Sequence, residues 1–253
     1  MFNLFKSLFG GKGESFRPLN DYSDLIVDMH SHLIPGIDDG AKTMDDSIAM
    51  LRQFEALGYK KVVTTPHIVT GGYDNTPEII TKGRDKVREA IAANGVNLQF
   101  DAAAEYYADE SMLPKIEKSD ILTIGNNYVL IEFSFLAKTR VLSEVMYKLQ
   151  AAGYKIILAH PERYPYMYSS DLEEYKSLCD KNIFLQLNIL SLQGKYGAGA
   201  KAFAEKMIDA NLISFLATDL HNIRQMEMVK EGLNIKHLNK LIDSGKLLNK
   251  TLL

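Results

Sequence analysis

Cysteine is nearly absent from this chain: Cys179 is the only one in 253 residues. That excludes an internal disulfide and fits a reducing compartment, so a cytoplasmic location is expected. An excess of positive charge is missing as well. Lysine and arginine total 29 against 32 aspartates and glutamates, a net charge of −3, and a chain without a basic face gives no footprint for nucleic acid. No apolar run approaches the roughly 20 residues needed to cross a bilayer. Residues 1–9 are short, lack a continuous apolar stretch and a small-residue cleavage site, and are followed at once by glycines, so they do not read as a signal peptide. If a membrane or a partner is touched by an amphipathic turn, it is there. No Pro/Gly/Ser linker, internal repeat or low-complexity tract divides the rest. The expectation is an N-terminal extension over residues 1–23 and a single domain over residues 24–253, long enough for a large core.

What is present is an alternation of strand-like and helix-like stretches. Thr43-Met44-Asp45-Asp46 reads as a capping box opening a helix that stops at Gly58. A second helix is expected from Thr76-Pro77-Glu78 to Asn94-Gly95, with proline at its first position. Further helices are expected near 139–152, 170–181, 198–211 and 222–243. Apolar runs lie between them, including residues 183–188. About seven β-α units of this kind predict an α/β fold with a parallel sheet, closed as a distorted (β/α)7 TIM-like barrel.

The runs over residues 25–32, 62–67, 104–105, 129–132, 156–160 and 216–221 end in metal-ligand side chains, and five of the six histidines sit there. In a parallel barrel the downstream strand ends converge on one face, where active sites are built. His30-x-His32 and Asp219-x-His221 each put two side chains on one face of an extended strand. Either pair alone reads more simply as hydrogen-bonded structural residues. Together, five imidazoles and several carboxylates would be too costly to bury without compensating cations.

The motifs Asp28-Met29-His30-Ser31-His32, Asp38-Asp39-Gly40, Thr65-Pro66-His67, Ala104-Glu105, Ile131-Glu132, Ala159-His160-Pro161-Glu162-Arg163-Tyr164 and Thr218-Asp219-Leu220-His221 span residues 28–221 in order. They resemble the PHP (polymerase and histidinol phosphatase) superfamily, and within it the bacterial capsule-associated protein-tyrosine phosphatases of the CpsB/YwqE type. The resemblance implies the PHP barrel and three divalent metal ions, manganese first, with iron or zinc as alternatives. Carried over by motif, one ion would use His30, His32, Glu105 and Asp219. The second would share Glu105 and add Glu132 and His160. The third would use Asp39, His67 and His221, with Asp38 left to a turn or to a supporting hydrogen bond. Charge supports the count: four carboxylates carry −4, two divalent ions only neutralise them, and three leave +2 for an incoming phosphomonoester.

The same resemblance implies a protein phosphotyrosine substrate, with a tyrosine autokinase of polysaccharide export as partner, and a water activated by the ions as nucleophile. Arg163 is expected to grip the phosphoryl oxygens rather than pair with Glu162. The resembled enzymes carry another arginine after the final Asp-x-His, and Arg224 is the candidate, although it comes early. A Cys-x5-Arg nucleophile is excluded, because the sixth residue after Cys179 is Leu185. Residues 70–75 and 194–199, with Lys195 and Tyr196, are expected to rim the pocket; Tyr106 and Tyr107 are expected to pack, and His237 to be solvated. The competing readings are a small-molecule phosphatase of the histidinol-phosphatase kind, a PHP nuclease, and a binding module that keeps metals for structure. Oligomers remain open.

Overall fold

A computed structural model describes residues 18–253; the amphipathic turn expected at residues 1–9 lies outside them. Among the described residues nine strands, β1 Val27–Asp28, β2 Lys61–Thr64, β3 His67–Ile68, β4 Gln99–Ala102, β5 Glu105–Tyr107, β6 Tyr128–Glu132, β7 Lys155–Ala159, β8 Ile183–Asn188 and β9 Ile213–Ala217, pair in parallel throughout. They form two sheets, β1-β2-β4 and β3-β5-β6-β7-β8-β9. Only seven barrel positions result, because β2/β3 and β4/β5 are halves of interrupted strands. Pro66, which has no N–H for a ladder, sits at the first break. Backbone bonds carry the pairing across the gaps: Ala103 N–H to the Thr64 carbonyl at 2.9 Å and Glu105 N–H to Pro66 at 3.1 Å. Closure at the downstream end comes from Asp219 N–H to the His30 carbonyl and His32 N–H to Leu220, each 2.9 Å. At the upstream end the buried Asn249 amide donates to the Val27 and Leu216 carbonyls.

The period of two along each strand divides the core. Val63, Leu130, Ile157, Phe215 and Ala217 pack inside the barrel, while Val62, Val129, Ile131, Ile156, Leu158, Leu185 and Leu187 pack against the helices. Glu132, Gln186 and Asn188 share the inward parity, so polar groups collect where the strands end.

The helices are α1 Met44–Ala56, α2 Pro77–Ala93, α3 Met112–Glu117, α4 Leu142–Ala151, α5 Glu173–Asp180, α6 Ala198–Asp209, α7 Ile223–Gly232 and α8 Lys236–Asp243. Thr43 and Asp46 form the expected capping box. The single helix expected over 222–243 is two. The last carbonyls of α7, on Lys230, Glu231 and Gly232, accept from the N–H groups of Leu233, Asn234 and Ile235, and just before them the Tyr22 hydroxyl donates to Val229 at 2.6 Å and the Gln193 amide to Met228. Tyr22 is fully buried, so this part of the segment before β1 packs into the core. Among the described residues no helix is long and apolar enough to cross a membrane.

Candidate metal centre

All nine expected ligands converge at the downstream face. Two of them leave their strands through left-handed backbone, His160 at φ 34° and Asp219 at φ 50°. Such angles are uncommon outside glycine and mark places where the surroundings dictate the chain's path. Gly40 does the same work by size. A Cβ there would collide with the His32 backbone, and that close approach carries Asp39 across to His67 and His221.

Glu105 is the hub. Its buried carboxylate lies 2.9 Å from His160 Nε2, 3.1 Å from His30 Nε2, 3.2 Å from His67 Nδ1 and 3.5 Å from His32 Nε2. Asp219 Oδ1 lies 3.3 Å from both His30 and His32 Nε2. Glu132 approaches His67 at 3.3 Å and His160 at 4.0 Å. Asp39, half exposed, lies 3.4 Å from His221 and 3.6 Å from His67. Four overlapping donor sets result, each with its atoms within 4.8 Å of one another: His30-His32-Glu105, His30-His160-Asp219, His67-Glu105-Glu132 and His32-Asp39-His67-His221.

The far nitrogen of most rings is already engaged. His30 Nδ1–H donates to Gln186 Oε1 at 2.9 Å, whose own amide is spent on the Leu187 carbonyl. His32 Nδ1–H donates to Asp38 at 2.8 Å, and His221 Nδ1–H to the Asp219 carbonyl at 2.9 Å. Each Nε2 therefore faces the cluster and, once deprotonated, offers the lone pair a metal ligand needs. Asp38 fills the supporting role, also accepting from the His67 and Gly40 backbone.

The fit to cations is visible in what is left unbonded. Glu105 Oε2 and His67 Nδ1 are buried and have no hydrogen-bond partner of acceptable geometry, although they lie side by side. Groups of this kind are costly to bury, and a divalent ion satisfies both at once. Without ions, the imidazoles have to carry the compensating charge. Burial pulls His30 and His67 down, yet Glu105 outweighs it with help from Asp219 or Glu132, leaving them at about 9 and about 10. Burial raises Glu105 and Asp219, but the neighbouring histidines, His30 foremost, hold both well below the usual carboxylate range. Burial and the Arg163 guanidinium push His160 down, towards the neutral ligand form.

Above the cluster opens a cavity of about 480 Å³, lined also by Val69, Tyr73, Phe135, Arg163, Lys195, Tyr196, Asn222 and Gln225. Arg163 reaches it from a turn over Pro161–Arg163. It pairs with Asp219 Oδ2 at 3.0 Å and not with Glu162, which is buried and accepts from Ser191 Oγ at 2.6 Å. Arg224 departs from expectation: it is exposed and lines no part of the cavity. Gln225 Oε1 takes the His221 N–H at 2.7 Å, and about 100° of helical turn per residue then swings Arg224 outward. His237 is not free in solvent but sits 3.6 Å from Glu205 and 3.8 Å from Asp209. The Tyr106 hydroxyl accepts from Leu122 N–H and Cys179 is half-buried in α5, both away from the cluster. Gln186, Asn188 and Phe135 were missed. Gln186 and Asn188 had a sequence signal, two amides inside an apolar strand; Phe135 had none.

The profile of the family described as "Capsular polysaccharide synthesis, CpsB/CapC" matches residues 26–240. The chain is 31% identical over 204 residues to tyrosine-protein phosphatase YwqE of Bacillus subtilis (strain 168), covering 79% of this chain and 78% of that one. It is 28% identical over 204 residues to tyrosine-protein phosphatase CpsB of Streptococcus pneumoniae, covering 78% and 84%. In three dimensions it resembles the crystal structures of YwqE and CpsB from those bacteria, described as unique metal-dependent tyrosine phosphatases, with a TM-score of 0.75 at 28% identity over 89% of this chain and 94% of the other. A histidinol phosphate phosphatase from Lactococcus lactis, at 12% identity and a TM-score of 0.51, shares the fold. The chain belongs to the CpsB/CapC family of capsular polysaccharide synthesis.

Proposed function

We propose that the chain is a metal-dependent protein-tyrosine phosphatase acting in the cytoplasm of a bacterium on a tyrosine autokinase of capsule or exopolysaccharide synthesis. One observation carries the chemistry: five imidazoles and four carboxylates meet around Glu105 at the floor of an open cavity. The kinship to proteins named tyrosine-protein phosphatase supports the substrate class. The residues that would hold three ions are His30, His32, Asp39, His67, Glu105, Glu132, His160, Asp219 and His221, a nitrogen–oxygen set suited to manganese, iron or zinc.

When bound, the ions supply an acidified water as nucleophile and charge to offset the phosphoryl oxygens. The protein's own groups do the positioning. Arg163 offers donors into the cavity beside Asp219 and stabilises the equatorial oxygens as charge develops. Tyr73 gives the wall an aromatic face suited to a phenyl ring. Tyrosinate, with a pKa of about 10, leaves without a strong general acid.

The test is elemental analysis of the purified protein, followed by add-back of individual metals with phosphotyrosine peptide and histidinol phosphate as rival substrates. Turnover of the peptide that depends on a transition metal is expected. Preference for histidinol phosphate would move the chain to the small-molecule reading.

A further inference from the structure

Arg163 is held between two aromatic rings. Its guanidinium carbon lies 4.7 Å from the Phe135 ring centroid and 4.1 Å from that of Tyr196, inside the roughly 6 Å range of a cation–π contact. The rings come from the loops after β6 and β8, and Arg163 from the turn after β7, the strand that pairs with both. Barrel order itself therefore brings a ring from each neighbouring strand's loop to the arginine.

A third contact fixes the assembly. The buried Asn188 amide donates to the Tyr196 hydroxyl at 3.2 Å and to Asp219 Oδ2 at 2.9 Å, the oxygen that Arg163 binds. The rest of Asn188 is tied down, its Oδ1 accepting from Leu190 N–H and its own N–H donating to Glu162. One side chain thus locks both a clamping ring and the arginine's anionic anchor. Phe135 is 42% exposed, more than a ring kept for core packing would be.

We infer that Phe135 and Tyr196 are positioning residues that act through Arg163, clamping the guanidinium so that only its edge faces the phosphoryl group. The inference rests on the reading of Arg163 as the group that grips phosphate. A free arginine loses considerable rotamer freedom when it binds; here that freedom is lost before substrate arrives. Lysine could not replace it, since a point charge has no plane to stack.

The experiment is a double-mutant cycle on the manganese-loaded full chain with p-nitrophenyl phosphate, joined to NMR relaxation of the Arg163 Nε–H group. Phe135→Ala and Tyr196→Ala should each lower kcat/KM by about tenfold, raise the inhibition constant of inorganic phosphate in parallel, and free the Arg163 Nε–H. Tyr196→Phe keeps the ring and should keep most of the activity. In an Arg163→Ala background neither alanine variant should cost anything more. Equal losses with and without Arg163, or an Arg163 equally rigid in both variants, would overturn the clamp. If Arg163→Ala alone changes nothing, the phosphate-gripping reading falls instead, and relaxation, which needs no turnover, still decides whether the rings hold the side chain. Should Tyr196→Ala fail to fold, Phe135→Ala on its exposed loop carries the same test.

Discussion

Gln186 Oε1 accepts the Nδ1–H of His30 at 2.9 Å across 156 positions of sequence, and the His160 N–H points at the same oxygen from 3.4 Å. One buried amide therefore orients the His30 imidazole and, through the His160 backbone N–H, tethers the chain that carries a second ligand. Supporting hydrogen bonds to metal-ligand histidines are typically worth about 10–100-fold in metal affinity. Gln186→Leu is expected to weaken binding by that order, read by competition with a chromophoric chelator. Unchanged affinity would show that His30 is oriented by packing alone.

Glu105 and Glu132 separate in the same way. Glu105 reaches four imidazoles, Glu132 two. Glu105→Gln should abolish turnover and lower the metal content per chain more than Glu132→Gln does. Elemental analysis of the two purified variants checks this, and equal metal losses would remove Glu105 from the centre of the cluster.

Chelation and alkylation should have opposite results. EDTA is expected to inactivate the enzyme, with recovery on adding back a transition metal. Alkylating Cys179, which lies in α5 away from the cavity, should leave turnover intact. Loss of activity on alkylation without unfolding would contradict a metal mechanism.

The metal-free protein should lose stability as pH rises above neutrality. His30 and His67 are raised from 6.5 to about 9 and about 10 by neighbouring carboxylates, against burial. Their stabilisation is therefore complete below 6.5 and disappears as pH climbs through those values. Asp28 is raised by burial to about 7, a shift of the same sign, lost from 3.8 upward. Thermal melts of chelated protein from pH 6.5 to 10 should show a falling Tm. Loaded protein should not follow, because protons compete with metal for the same nitrogens. A Tm that rises with pH in the chelated protein would mean that the imidazoles are neutral before metal binds.

Much of this architecture could be read locally. The capping box at Thr43 and Asp46, the proline opening α2 and the alternation of β and α elements depend on neighbours a few residues apart, and they stand where the pattern put them. Helix α7 shows the limit. Residues 222–243 look continuous, but the N–H groups of residues 233–235 turn back onto the last carbonyls of α7, while Tyr22 and Gln193 reach across the fold to the Val229 and Met228 carbonyls.

By itself, then, the sequence determined the donor types, their places at strand ends and the parallel α/β plan, because side-chain chemistry and periodicity are properties of short stretches. Only the tertiary structure decided which nitrogen of each histidine faces the cluster, that Arg163 pairs with Asp219 rather than Glu162, that Arg224 turns outward, and that Phe135 and Tyr196 enclose a guanidinium. Those choices depend on barrel closure, which sets residues far apart in the chain within hydrogen-bonding distance and leaves no trace in the spacing between them.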